Sequence, residues 1–375
     1  MAFPPLVDPV AELSDAERTR TARHRVLAGF GDIAQRRLAA AHVAVVGAGG
    51  LGSPAVLALA AAGVGTLTVI DDDIVEASNL QRQIMHRVDD VGSPKTDSAV
   101  RVAADLSPAT VVRAVRERLT ADNARDLLVG AHVVIDGTDT FQTREIVATA
   151  TEELGTPLVW GVVQEFHAQV TVFWSSPPPG ATPVLLSDLY PPDAGREAPS
   201  CAAVGVLGAL CLQIGALLAT EAIKLLTGVG EPLLGRVLVI DALRARTDEV
   251  PLRPATAEGP LRPAETGTAP ADPSPAIPQL TPAEALAAQR SGAVLLDVRE
   301  PFETERGVIP GSILTPLGEV LADPRRVTAE QVVVVCQVGL RAQRAAAALR
   351  AAGIEASVLA GGIDAWNRDR AAVRA

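Results

Sequence analysis

His42-Val-Ala-Val-Val-Gly-Ala-Gly-Gly-Leu-Gly-Ser-Pro54 decides the fold. The apolar run His42–Val46 predicts a short strand. Gly47, Gly49 and Gly52 then fall in the spacing G-x-G-x-x-G, with Gly50 between them, and residues 54–62 read as a helix. A strand that turns on glycine into a helix opens a doubly wound α/β sheet. The first glycine allows the tight turn, the second lets phosphate approach the backbone, and the third lets helix and sheet pack closely. The helix N-terminus then offers N–H groups to an anion. The turn alone suits NAD, FAD or ATP.

Outward from the turn, strands alternate with helices. Strands are expected at 66–70, 110–115, 132–136, 157–162 and 169–174, and helices at 95–106 and 123–129. This alternation predicts a mostly parallel sheet with helices on both faces. Asp71 ends the second strand, where a carboxylate can accept from both ribose hydroxyls. Asn79-Leu-Gln-Arg-Gln83 sets amides around Arg82, and Lys95 follows. Two cations near a glycine turn fit a triphosphate better than a dinucleotide. Asp139 follows the fourth strand, at the edge where such sheets bind ligands, and could hold Mg²⁺.

The chain has 375 residues and a net charge of -11, which argues against a broad nucleic-acid surface. Aromatics make up only 3%, so Ala, Val, Leu and Ile must build most of the core. Three cysteines cannot make a disulfide scaffold, and no basic-then-apolar leader opens the sequence, so the cytoplasm is the expected compartment. Cys201–Thr220 carries no charge over twenty residues, long enough to span a membrane. Its glycines, and Glu221 and Lys224 just after it, favour a buried helix over a span.

Residues 251–278 hold eight prolines and no aromatic, and read as an extended linker. They separate an N-terminal domain, 1–250, from a smaller α/β domain, 279–375. In the latter, strands are expected at 294–298, 332–336 and 357–359, and helices at 282–289 and 342–351. Cys336 ends an apolar strand, and Gln337, Val338, Gly339, Leu340 and Arg341 form a short loop into a helix. Loop amides, a helix N-terminus and the Arg341 charge together suit a thiolate and, after loading, a persulfide. Cys211 reads as core.

The glycine turn, Ala61-Ala-Gly-Val-Gly65, Asp71-Asp-Asp-Ile-Val-Glu-Ala-Ser-Asn-Leu-Gln-Arg-Gln83, Gly205-Val-Leu-Gly208 and Glu221-Ala-Ile-Lys224 together resemble the ThiF/MoeB family, over roughly residues 12–248. These are the bacterial relatives of ubiquitin-activating enzymes. Leu296-Asp-Val-Arg299, Ile309-Pro-Gly311, Cys336-Gln-Val-Gly-Leu-Arg341 and Gly361-Gly-Ile-Asp-Ala-Trp366 resemble rhodanese, over about 280–370. The first resemblance implies ATP-dependent adenylation of the C-terminal Gly-Gly carboxylate of a ubiquitin-like sulfur carrier of the MoaD, ThiS or CysO type. Asp71 would bind ribose, Asn79, Arg82 and Lys95 the phosphates, and Asp139 the Mg²⁺. Family members are homodimers in which an arginine, here Arg23, reaches the partner's ATP site. In some members a cysteine at the position of Cys201 bonds the activated carrier covalently. The second resemblance implies that Cys336 accepts sulfane sulfur, from thiosulfate or a cysteine-desulfurase persulfide, and passes it on to give a carrier thiocarboxylate. Neither a nucleic-acid nor a membrane partner is expected.

Three departures stand out. The two Cys-x-x-Cys pairs that bind structural zinc in many members are missing, so no zinc site is expected. Thr140 replaces the usual Asn after Asp139, and Ala168 replaces the usual Gly before Gln169. Two readings compete from the residues alone. An NAD-dependent dehydrogenase leaves Arg82, Lys95 and Asp139 without a purpose, and a non-catalytic scaffold does not require Cys336.

Overall fold

In the first unit β1 (His42–Val46) alternates its side chains between two cores. Val43 and Val45 face one, with the helices Gly52–Ala62 and Gly208–Thr227; Ala44 and Val46 face the other, with the helix Phe141–Leu154. Burial on both sides explains why the strand is a continuous apolar run. The computed structural model describes residues 3–191, 205–254, 277–305 and 307–374. They fall into two compact units, within 1–260 and 261–375.

The sheet of the first unit continues with β2 (Thr66–Ile70), β3 (Val111–Val115), β4 (Val133–Asp136), β5 (Leu158–Gln164), β6 (His167–Phe173), β7 (Arg236–Asp241) and β8 (Arg246–Pro251), in the order β3-β2-β1-β4-β5-β6-β7-β8. Strands β3 to β5 of that order are parallel. The remaining pairs are antiparallel. The sequence pattern predicts the parallel part and omits β7 and β8. Strand β8 is exposed along its length and polar at most positions, so no apolar pattern marks it. The strand order reverses about β1, which opens a crevice at the carboxyl edge. Register sharpens it: Val46 pairs with Ile70 on one side and Asp136 on the other. Gly47, Asp71 and Gly137 therefore leave the sheet at one level.

The long apolar helix runs Gly208–Thr227, seven residues later than its uncharged stretch suggests, and it includes Glu221 and Lys224. Its charges are matched locally: Glu221 pairs with Lys224, and its other oxygen accepts from the Leu233 N–H at 2.8 Å. Among the described residues it is the one helix long and apolar enough to cross a membrane. Here Leu210, Ile214, Leu218 and Leu225 pack into the core beside Gly52–Ala62. A Cβ on Gly215 would overlap the Pro54 ring and the Leu51 carbonyl.

In the second unit β9 (Gln279–Leu280), β10 (Val294–Asp297), β11 (Ile313–Leu314), β12 (Gln331–Val335) and β13 (Glu355–Leu359) form a parallel sheet in the order β11-β10-β12-β13-β9. Val332 and Val334 face the helix Leu340–Ala351, while Val333 and Val335 face Pro282–Arg290 and Gly362–Arg374. Most of the expected linker, and Cys201, lie outside the described residues.

Because Gly215 has no room for a methyl group, Gly215→Ala should cost about 1–3 kcal/mol through forced helix separation. Urea unfolding of the purified chain measures this.

Candidate functional site

The glycine turn rests on backbone contacts. The Gly47 N–H donates to the Ile70 carbonyl and the Gly137 N–H to the Val46 carbonyl, each at 2.8 Å. Gly47 has φ +88°, and a Cβ there would press on the Gly137 carbonyl at 3.1 Å. A Cβ on Gly52 would fall on the Gly47 carbonyl oxygen. His86 Nε2 lies 3.2 Å from the Ala48 carbonyl oxygen, which can only accept, so that nitrogen carries the proton. Burial, above all, holds this imidazole's pKa below its ordinary value, with Lys95 and Arg101 adding to the effect.

Above the turn lies a cleft of about 340 Å³. Gly47, Gly49, Gly50, Asp71, Asn79, Arg82, Lys95 and Asp139 all line it, so eight positions scattered through the sequence meet in one place. Gly52 lies beneath the turn, outside this lining. Asp71 is held by the N–H groups of Ala48, at 2.7 Å, and Asp73, at 2.9 Å. Burial raises its pKa, against the opposing pull of Lys95 and the two N–H groups. Lys95 is 6% exposed, with Nζ 2.8 Å from Asp73 and 4.0 Å from Asp71. Asn79 is buried, and its carbonyl oxygen accepts from the Glu76 N–H at 3.1 Å. Arg82 reaches the Ser78 carbonyl at 3.1 Å, and Asp139 is exposed at the mouth.

This donor set fits a nucleoside triphosphate with Mg²⁺. A cradle without side chains, a buried ammonium and a guanidinium suit phosphate, while the carboxylates of Asp71 and Asp139 suit hydroxyls and a hard cation. The Gln83 side-chain oxygen, buried in the cleft lining with no partner, is a further polar group turned away from solvent.

Sequence reasoning missed Arg144. Its guanidinium is 5% exposed, lines the cleft, donates to the Thr138 carbonyl at 3.0 Å and lies 5.8 Å from the Trp160 ring centre. Only its position one turn into the helix after Asp139 could have marked it. Asp136 is fully buried; one oxygen accepts from Thr138 N–H and Oγ1, at 2.9 and 2.7 Å, and the other has no partner. Burial raises its pKa, partly opposed by Arg144 and Thr138. Cys211 is buried in the core as expected, but it also borders the cleft: a Cβ on Gly50 would lie 3.2 Å from its sulfur. Arg23 lies exposed on the short helix Ala22–Arg25, outside the cleft lining of this single chain.

In the second unit Cys336 follows β12 directly and is 1% exposed. The Gly339 N–H donates to its sulfur at 3.1 Å, and Gly339, at φ +108°, caps the helix Leu340–Ala351. The Ile363 and Asp364 N–H groups hold the Cys336 and Gln337 carbonyls, at 2.8 and 3.2 Å. That approach requires Gly362, because a Cβ there would strike both carbonyls. Asp297 and Arg299 form a buried pair at 2.7 Å, and Arg299 also ties down the Gly307 carbonyl at 2.8 Å.

Arg341 is paired on one side: both terminal nitrogens donate to Glu303, each at 2.6 Å, while its Nε is buried without a hydrogen-bond partner. Burial would raise the Glu303 pKa, but hydrogen bonds from Arg341 and the Glu300 N–H outweigh it and hold the carboxyl below its ordinary range. The loop's own sequence, 336–341, contains no hint of this partner.

Residues 21–261 match the ThiF family model and residues 281–369 the rhodanese-like domain model. The chain belongs to the ThiF family and carries a rhodanese-like domain after the ThiF domain. It is an enzyme, an adenylyltransferase and sulfurtransferase, combining ThiF/MoeB-type adenylylation with rhodanese-type sulfur transfer. It is 42% identical, over 97% of its length and 96% of the relative's, to the probable adenylyltransferase/sulfurtransferase MoeZ of Mycobacterium tuberculosis H37Rv. Over 63% of this chain it is 42% identical to the sulfur carrier protein adenylyltransferase of Thermus thermophilus, covering 88% of that protein. Among solved structures, Escherichia coli MccB with MccA shares the fold, at TM-score 0.55 and 19% identity over 66% of this chain and 75% of that one.

Asp136 generates a pH prediction. Its folded-state pKa lies above the unfolded one, so its contribution to stability is complete below the ordinary carboxyl range and is lost as pH rises through the folded value. Asp136→Asn removes this titration. Its stability relative to wild type should therefore rise with pH above that range, as followed by urea unfolding from acid to neutral pH. Parallel curves would contradict the assignment.

Proposed function

We propose that the first unit adenylates the C-terminal Gly-Gly carboxylate of a ubiquitin-like sulfur-carrier protein of the MoaD, ThiS or CysO type, and that Cys336 then supplies sulfur to make the carrier thiocarboxylate. The convergence of Gly47, Gly49, Gly50, Asp71, Asn79, Arg82, Lys95 and Asp139 on one cleft carries this reading. ATP is the substrate that such a cleft takes. Asp71 receives the ribose hydroxyls; Asn79, Arg82 and Lys95 hold the phosphates. Asp139 would hold Mg²⁺, which would supply charge neutralisation to the triphosphate. The chain's own residues position the carboxylate for in-line attack on the α-phosphate and stabilise the departing pyrophosphate.

Sulfur enters at the other unit. The Cys336 persulfide attacks the acyl carbon of the adenylate and AMP leaves. A thiol of an external reductant attacks the Cys336 sulfur of the resulting acyl disulfide, the S–S bond breaks and the thiocarboxylate leaves. A second thiol of that reductant then resolves the mixed disulfide and returns Cys336 as a thiol, while Cys201 is the candidate for a covalent bond to the activated carrier. Relatives named for sulfur carrier adenylylation and for molybdopterin-synthase adenylylation support a carrier substrate. We further propose a cytoplasmic homodimer in which Arg23 completes the partner's ATP site.

Carrier-dependent ATP–pyrophosphate exchange should occur, and Asp139→Ala should lower it about 10²-fold or more, on the scale of losing one electrostatic stabiliser. Undiminished exchange would remove Asp139 from the metal site.

Cys336→Ala should leave that exchange near wild type and abolish loading of sulfane sulfur on the chain. Intact and peptide mass spectrometry after incubation with a donor should place the added sulfur atom on Cys336; its recovery on Cys201 or Cys211 alone would reassign the acceptor.

A further inference from the structure

Ala48 sits inside the glycine turn and is fully buried. Both of its backbone polar groups are held. Its N–H donates to Asp71 Oδ2 at 2.7 Å, and its carbonyl oxygen accepts from His86 Nε2 at 3.2 Å. Burial, above all, holds the imidazole pKa below its ordinary value, so the ring is neutral at neutral pH and its proton is on Nε2. Its Nδ1 is buried without a partner, so the bond to Ala48 is the one hydrogen bond the ring makes among the described residues. His86 ends the segment that carries Asn79, Arg82 and Gln83 into the cleft. Its N–H donates to the Gln83 carbonyl at 3.1 Å, and the Met85 N–H donates to Ser53 Oγ at 2.6 Å, which ties the segment to the helix Gly52–Ala62.

The Ala48 carbonyl and the Gly49 N–H belong to one peptide plane, and no described peptide bond is cis. Across a trans peptide these two groups point in opposite directions. The carbonyl points to His86, which lies outside the cleft lining. Gly49 belongs to that lining, and no described residue accepts its N–H.

We propose that His86 is a positioning residue: by holding the Ala48 carbonyl on the side away from the cleft, it aims the Gly49 N–H into the cleft at a phosphate oxygen. This rests on the cleft binding ATP. Without a Cβ on Gly49, little in the local backbone restricts that peptide plane. A rotated plane would present a carbonyl oxygen to the phosphates, a repulsion in place of a contact. His86 removes this alternative before the nucleotide arrives, so the amide is preorganised. The imidazole adds no charge and acts through a single peptide plane.

The test is isothermal titration calorimetry of the full chain with Mg·ATP and with adenosine, which lacks phosphate. His86→Leu removes the donor and should weaken Mg·ATP about tenfold, the scale of one hydrogen bond to a charged group, with adenosine affinity unchanged. His86→Gln returns a side-chain N–H at similar reach and should recover Mg·ATP affinity to within about threefold of wild type. A purely structural role predicts otherwise: adenosine would weaken along with ATP, and Gln would not rescue. Unchanged Mg·ATP affinity in His86→Leu would overturn the proposal, as would equal losses for ATP and adenosine. If neither variant folds, wild type decides. NMR of the chain with isotopically labelled histidine nitrogens should show His86 neutral with its proton on Nε2, and a proton on Nδ1 would overturn the proposal. Wild type that binds no Mg·ATP would instead overturn the nucleotide reading of the cleft.

Discussion

The Gly47 carbonyl oxygen occupies the space where residue 52 would carry a Cβ, and Gly137 lies against the same two backbones. No side chain separates the end of β1, the start of the helix Gly52–Ala62 and the end of β4. This contact lets three chain segments converge without filling the crevice above them. It places the helix N-terminus beneath the cleft, and the level register of Val46, Ile70 and Asp136 brings Asp71 and the 136–139 turn to the same edge. A methyl group on Gly52 would therefore disturb the floor of the site as well as the packing of a helix.

The second unit solves a different problem by similar means. Its reactive atom is a sulfur that must be shielded and yet held by N–H groups. Gly362 lets the helix Gly362–Arg374 take the Cys336 and Gln337 carbonyls, and Gly339 turns one amide onto the sulfur. Backbone supplies the cradle in both units. Each unit also sets a paired cation beside its site: Lys95 with Asp73 in the cleft, and Arg341 with Glu303 at the cysteine loop.

Several buried charges are handled by local partners. Glu221 with Lys224 and the Leu233 N–H, and Asp297 with Arg299, are matched close to where they lie in the sequence. Asp136 and Arg144 are less complete, since each leaves one buried polar atom without a partner at the edge of the cleft. A buried polar group left in that state is costly.

Sequence alone determined the parallel half of the first sheet, the two α/β units and most of the cleft residues. Those features are local: apolar runs set the strands, glycine spacing sets the turn, and polar residues at strand ends mark the ligand edge. It did not reveal β8, because an exposed polar strand carries no burial pattern, nor the start of the helix at Gly208, because an uncharged run does not mark where a helix begins. Arg144 and the Glu303–Arg341 pair were hidden because their partners lie on other elements. What such side chains do depends on which partner the fold brings to them, and Glu303 meets Arg341 only after β10 and β12 have paired and set the two segments side by side. Tertiary structure alone decided whether a charge stands open or is already matched.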